Sequence, residues 1–143
     1  MRNGSLISED ADLIALFDWI RLSPELEPFC WHVANERKCS ARYGSYLRRK
    51  GVKSGVSDIQ IAIPMGKYHG MFLELKVGKG KPTKNQLKFL QDMSDKGYYA
   101  IWRTGVEACQ DAICEYLGWR IERRCLVAHA GETAFLITNN SGS

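Results

Sequence analysis

Met71-Phe72-Leu73-Glu74-Leu75-Lys76-Val77 decides the fold of this chain, because charged residues enter an otherwise apolar run at alternate positions. Period-2 alternation puts Phe72, Glu74 and Lys76 on one face of a strand and Met71, Leu73, Leu75 and Val77 on the other. Burying a carboxylate without a partner is costly, so apolar strands rarely carry one. A second run, Asp58-Ile59-Gln60-Ile61-Ala62-Ile63, also opens on an acid, and Pro64-Met65-Gly66-Lys67 begins a turn-containing connection between the two. The pair predicts a hairpin. Two carboxylates and an ammonium brought together at a sheet edge describe a divalent-metal phosphodiesterase site. Magnesium takes oxygen ligands and is held by one or two carboxylates plus substrate phosphate. A lysine beside it can polarise the attacking water or offset charge on the phosphoryl oxygens.

Helical and strand signals surround this hairpin. Residues 8–21 read as a helix, with Ser8 as N-cap, Glu9, Asp10 and Asp12 in its first turn, and Leu13, Leu16, Phe17 and Ile20 at helical spacing. Ser23-Pro24 ends it. A second helix starts near Asn35 and runs to Arg49, closed by Gly51. Thr83 and Gln86 make a capping box for a helix that buries Leu87, Leu90 and Met93 and stops at Gly97. Residues 98–103 read as a strand, and Thr104 with Glu107 as a capping box for a helix ending near Leu117-Gly118. A last strand spans Thr133 to Thr138. This order predicts an α/β domain on a mixed sheet. With 143 residues one domain is expected, with a core over about residues 29–118; helix 8–21 and an extension over 119–138 would pack on it or on a partner.

Charge is informative through its placement. The net charge is +4, which permits a polyanionic partner without requiring one. Arg37, Lys38, Arg42, Arg48, Arg49, Lys50 and Lys53 crowd one segment opposed only by Glu36. Lys76, Lys79, Lys81, Lys84 and Lys88 form an acid-free second run. Either run alone reads as a solvated face. Because both bracket Asp58 and Glu74, they predict phosphate contact. The five cysteines are odd in number and lack C-x-x-C spacing, which argues against zinc and against a disulfide framework. Without an apolar run of membrane-spanning length or a signal-peptide pattern, a cytoplasmic location is expected.

Asp58 followed by Glu74-Leu75-Lys76 resembles the PD-(D/E)XK nuclease signature, which is weak by itself. The surroundings sharpen it. His32-Val33-Ala34-Asn35-Glu36, then Gly51-Val52-Lys53-Ser54-Gly55-Val56-Ser57-Asp58-Ile59, then Lys81-Pro82-Thr83-Lys84-Asn85-Gln86-Leu87 and Gly97-Tyr98 are similar to the VRR-NUC (virus-type replication-repair nuclease) branch. The likeness is to its short stand-alone form in phages and bacteria, over about residues 31–117. One departure is Ser57, where the family usually has a proline that stiffens the approach to the strand.

The resemblance implies a PD-(D/E)XK restriction-endonuclease-like core, a mixed central sheet flanked by helices. It implies a Mg2+- or Mn2+-dependent deoxyribonuclease. Asp58, Glu74 and the backbone carbonyl of Leu75 would bind the metal, Glu36 would complete its site from a helix, and Lys76 would be the catalytic lysine. Gln86 is placed near the metal by the family, although its capping box already accounts for it. His32 is a possible phosphate or water contact. Lys53, Arg37, Lys38, Lys79, Lys81 and Lys84 would meet DNA. Branched DNA of the Holliday-junction kind, a homodimer and a role in DNA repair are expected from the stand-alone members. The alternatives are a flap, end or single-strand nuclease, and a weakly active DNA-binding accessory module. Purely structural roles would also account for these residues: Asp58 could cap a turn, Glu74 and Lys76 could form a surface pair, and Glu36 could serve the opening turn of its helix.

Overall fold

The computed structural model describes residues 2–34, 40–122 and 125–127. Four strands form one mixed sheet in the order β1 (Cys30–His32), β2 (Ile59–Ile61), β3 (Met71–Lys76), β4 (Tyr99–Thr104). The expected hairpin lies at its centre. β2 and β3 are antiparallel, with Ile59 opposite Leu73 and Ile61 opposite Met71. β1 adds antiparallel to β2, and β4 lies parallel to β3 with Glu74 opposite Trp102. Parallel strands need a crossover connection, and helix α3 (Lys84–Asp95) supplies it.

Alternation along β3 assigns the two faces of the sheet. Leu73 and Leu75 meet Leu16 and Ile20 of helix α1 (Arg2–Ile20) and Ile113 and Leu117 of helix α4 (Val106–Leu117), all almost wholly buried. On the opposite face Phe72 meets Phe89 of α3 and Tyr98 edge-on, at centroid distances of 5.2 and 5.1 Å. Glu74 and Lys76 share this second face. Helix α2 (Ala41–Arg49) buries no residue. Strands β5 (Arg120–Glu122) and β6 (Cys125–Val127) form a separate antiparallel pair.

Several boundaries differ from the expectation. α1 begins at Arg2, so Ser8 is not its cap, and Glu9 and Asp10 lie in its interior. Propagation costs little once a helical nucleus exists, and no proline upstream stops it. α2 begins at Ala41 rather than near Asn35, because Ser40 is extended and accepts a hydrogen bond from the Tyr43 N–H at 3.1 Å. Thr104 and Glu107 do not form a capping box. Thr104 is paired with Lys76 as the last residue of β4, and Gly105 turns the chain at a φ of 87°. β1 was not anticipated: three residues are too few to show a period. The strand expected over Thr133 to Thr138 lies outside the described residues.

Candidate active site

The site forms where β2 leaves its partner strand. Beyond Ile59 the ladder gives way to side chains that take the backbone donors of the opposite strand. The Leu75 N–H donates to Asp58 Oδ2 at 3.0 Å, and the Asp58 N–H donates to Glu74 Oε2 at 3.1 Å. Each acid therefore anchors the other's strand, which holds two carboxylates side by side. Asp58 is 8% exposed and Glu74 1%. A strand residue's N–H and C=O leave on the same side. The Leu75 carbonyl thus shares the edge at which Asp58 meets its N–H.

Two further groups converge on Glu74 Oε1. Gln86 Nε2 donates to it at 2.8 Å, and Lys76 Nζ lies 3.1 Å away. The Gln86 amide is oriented by the capping box of α3: its Oε1 accepts the Thr83 N–H at 2.8 Å while Thr83 Oγ1 accepts the Gln86 N–H. With Oε1 committed to the cap, Nε2 is left to face Glu74. The structural and functional readings of Gln86 are one arrangement. Burial above all, and then the charge of Asp58, push the Glu74 carboxyl up to about 7, against the pull of Lys76.

These groups floor a cleft of about 770 Å³. Its walls include His32, Arg48, Lys53 and Thr83, with Glu9 and Asp10 from α1. His32 is tied back to β2, its Nδ1 2.7 Å from the Asp58 carbonyl oxygen. Lys53 lies in a loop tethered to α3, where Asn85 Nδ2 donates to Ser54 Oγ at 3.1 Å. Gly55 passes so close that a Cβ there would lie 2.5 Å from the Asn85 carbonyl oxygen.

The structure thus brings together Asp58, Glu74, Leu75, Lys76 and Gln86, with Lys53 on the cleft wall. Lys79, Lys81 and Lys84 are exposed and do not line the cleft; Lys81 instead sits 5.6 Å over the Trp102 ring. Glu36, Arg37 and Lys38 lie outside the described residues. Glu9, Asp10 and Arg48 line the cleft without having been singled out. The acids read as first-turn residues of a helix thought to start at Ser8, and Arg48 was one cation in a run. Only the packing of α1 on the sheet and the position of α2 beside the cleft bring them here.

A carboxylate offers about four acceptor positions. Two donors occupy Glu74 Oε1, one occupies Glu74 Oε2 and one Asp58 Oδ2. The remaining capacity, with the Leu75 carbonyl, is a set of hard oxygen donors carrying excess negative charge. That chemistry fits a hard divalent cation such as magnesium or manganese. Among the described residues the acids form a pair here, with no cluster of three or more His, Cys, Asp or Glu side chains placed to hold a metal ion. A pair suffices for an ion that keeps waters and takes substrate phosphate.

No protein-family model matches the chain, and comparison with curated proteins gives no match. Among solved structures, a VRR_NUC domain protein superposes with a TM-score of 0.69 at 24% identity, covering 77% of this chain and 88% of that one. The chain has the VRR-NUC fold. In this chain the hairpin β2–β3, with the residue that precedes it, and the crossover helix α3 carry the two acids, the lysine and the glutamine described above. No helix among the described residues is long and apolar enough to cross a membrane.

Proposed function

We propose that this chain is a metal-dependent nuclease that hydrolyses phosphodiester bonds of DNA. The observation that carries the reading is the reciprocal lock of Asp58 and Glu74, two buried carboxylates beside Lys76 at the floor of a cleft whose walls bring Arg48 and Lys53 together with Glu9 and Asp10. A fold that only needed a hairpin would place no acids there, because their desolvation opposes folding. Asp58, Glu74 and the Leu75 carbonyl would hold Mg2+ or Mn2+, and Glu36 is retained as a proposed additional ligand. When bound, such an ion supplies positive charge at the phosphoryl oxygens and acidifies water for attack. Lys76 holds an ammonium beside the carboxylate pair and offsets charge that develops on the phosphate. Gln86 keeps Glu74 Oε1 oriented, and Lys53 and Arg48 bind the backbone of the polyanion.

The finer reading, a homodimer acting on branched DNA in repair, follows the stand-alone VRR-NUC proteins. Helix 8–21 and the extension over 119–138 are the segments that could pack on a partner. The stripe Leu13, Leu16, Phe17 and Ile20 packs into this chain's own core, so it is not spare. The apolar segment Ala134-Phe135-Leu136-Ile137 of the extension lies outside the described residues.

Incubation with a four-way junction, a flap and a linear duplex, with and without Mg2+, tests activity and preference together. Cleavage should require the metal, and Asp58→Asn or Glu74→Gln should abolish it while DNA binding persists. Full activity of Glu74→Gln would sink the assignment. Lys76→Ala should lower turnover by about 10²–10³-fold with little change in affinity, as expected for a preorganised electrostatic contact. Independently of activity, Mg2+ should raise the melting temperature of the wild type and not of Glu74→Gln.

A further inference from the structure

Helix α2 is unusual in burying nothing, yet it is well formed: Ser40 caps its start, and Gly51, at a φ of 96°, follows its end. The fold does not use its aromatic side chains as core. Tyr43 and Tyr46 are 44% and 53% exposed and stack on each other, centroids 6.2 Å apart at 29°. Lys50 places its ammonium 5.3 Å from the centroid of the Tyr46 ring. The spacing i, i+3, i+7 keeps these three groups on one face. Gly44, Leu47 and Arg48 turn another face of the same helix into the cleft of Asp58 and Glu74. Residues 37–57 contain no acid.

We propose that the Tyr43–Tyr46 face is a stacking platform for unpaired bases of a single-stranded DNA segment whose backbone runs from α2 towards the cleft. The inference rests on the nuclease reading for its substrate class and adds that the substrate presents unpaired bases. Exposed aromatic rings are the groups that take bases in sequence-tolerant single-strand binding, because every base has a π-face. Cations must accompany them to hold the phosphates, and Arg42, Arg49 and Lys50 occupy the same short helix. A duplex keeps its bases stacked inside and offers these rings nothing beyond its phosphates. A protein partner would not explain why the segment that carries the rings holds Arg42, Arg48, Arg49, Lys50 and Lys53 and no acid. A platform on the helix that lines the cleft of the acids selects flaps, frayed ends or single strands over continuous duplex.

The test is binding of the full chain to a fluorescein-labelled oligothymidylate and to a blunt duplex, in EDTA at fixed salt. Tyr43→Leu/Tyr46→Leu should weaken single-strand binding about fivefold or more per tyrosine, the range of base–aromatic stacking, and leave duplex binding unchanged. Tyr43→Phe/Tyr46→Phe should bind like the wild type, since the ring and not the hydroxyl is required. Unchanged single-strand affinity in the leucine variant overturns the platform. Equal loss on single strand and duplex, or equal loss in the phenylalanine variant, overturns it as well. Because no cleavage is read, tyrosine-dependent binding would stand even if the Glu74→Gln assay removed the nuclease reading.

Discussion

Glu74 is held in the folded state at a cost that depends on pH. Its carboxyl, raised from an ordinary value of 4.5 to about 7 by burial and by Asp58, binds its proton more tightly in the folded than in the unfolded chain. A group with a raised folded value contributes its full stability below the unfolded pKa, and loses it as pH rises through the folded one. Metal-free protein should therefore melt at progressively lower temperature between about pH 4.5 and about pH 7. At 1.36 kcal/mol per unit the loss amounts to about 3 kcal/mol. Glu74→Gln should flatten this part of the curve; an unchanged slope would show that Glu74 does not carry the titration. Ser57 is a second residue with an energetic signature. Its side chain is buried, and Oγ finds no hydrogen-bond partner among the described residues. An unpaired buried hydroxyl costs about 1–3 kcal/mol. Ser57→Ala should raise the melting temperature by a few degrees without loss of the hairpin.

At the scale of elements, α3 couples its own stability to the site. The Thr83 cap and the Gln86 amide are the two halves of one box, and the same amide reaches Glu74. Thr83→Ala should cost about 1 kcal/mol, typical of a lost N-cap. It should also lower activity, because the Gln86 N–H loses its Thr83 Oγ1 acceptor and the loosened first turn no longer fixes the residue 83 N–H that holds Gln86 Oε1 and so aims Nε2. Thermal melts and cleavage rates of Thr83→Ala and Gln86→Ala check this: activity falling in the second variant alone would mean that the cap does not orient the amide. The capping box was legible in sequence because its signature is local, two residues three apart. Its reach to Glu74, twelve residues away on another element, was not. The reverse error occurred at Thr104-x-x-Glu107, where a local signature was present but β4 had already engaged the threonine.

For the whole molecule, α1 is the element whose role the sequence left open. Its apolar stripe could cover the core or a partner, and the structure places Leu16 and Ile20 at 0% exposed beside Leu73 and Ile113. Leu16→Ala should destabilise by about 2–5 kcal/mol, the range for a buried leucine truncated to alanine. The loss should be the same at all protein concentrations. A penalty that grows on dilution would return the stripe to an intersubunit role. Sedimentation equilibrium complements this: a species at twice 16.2 kDa would support the homodimer through some other surface.

The chain by itself determined the central hairpin, the face on which Glu74 and Lys76 lie, the two acids of the candidate site and the helix that follows them. All of these depend on short-range periodicity and caps, which are written in consecutive residues. Only the tertiary structure decided how the acids are held. A ladder that starts only at Ile59 leaves the N–H groups of Asp58 and Leu75 to find acceptors, and the Asp58 and Glu74 carboxylates are the acceptors within reach. It also decided that Glu9, Asp10 and Arg48 share the cleft, that Lys79, Lys81 and Lys84 do not line it, and that Tyr43 and Tyr46 remain outside the core. Contacts between residues far apart in sequence follow from how helices pack on a sheet, and no local pattern records which face meets which neighbour.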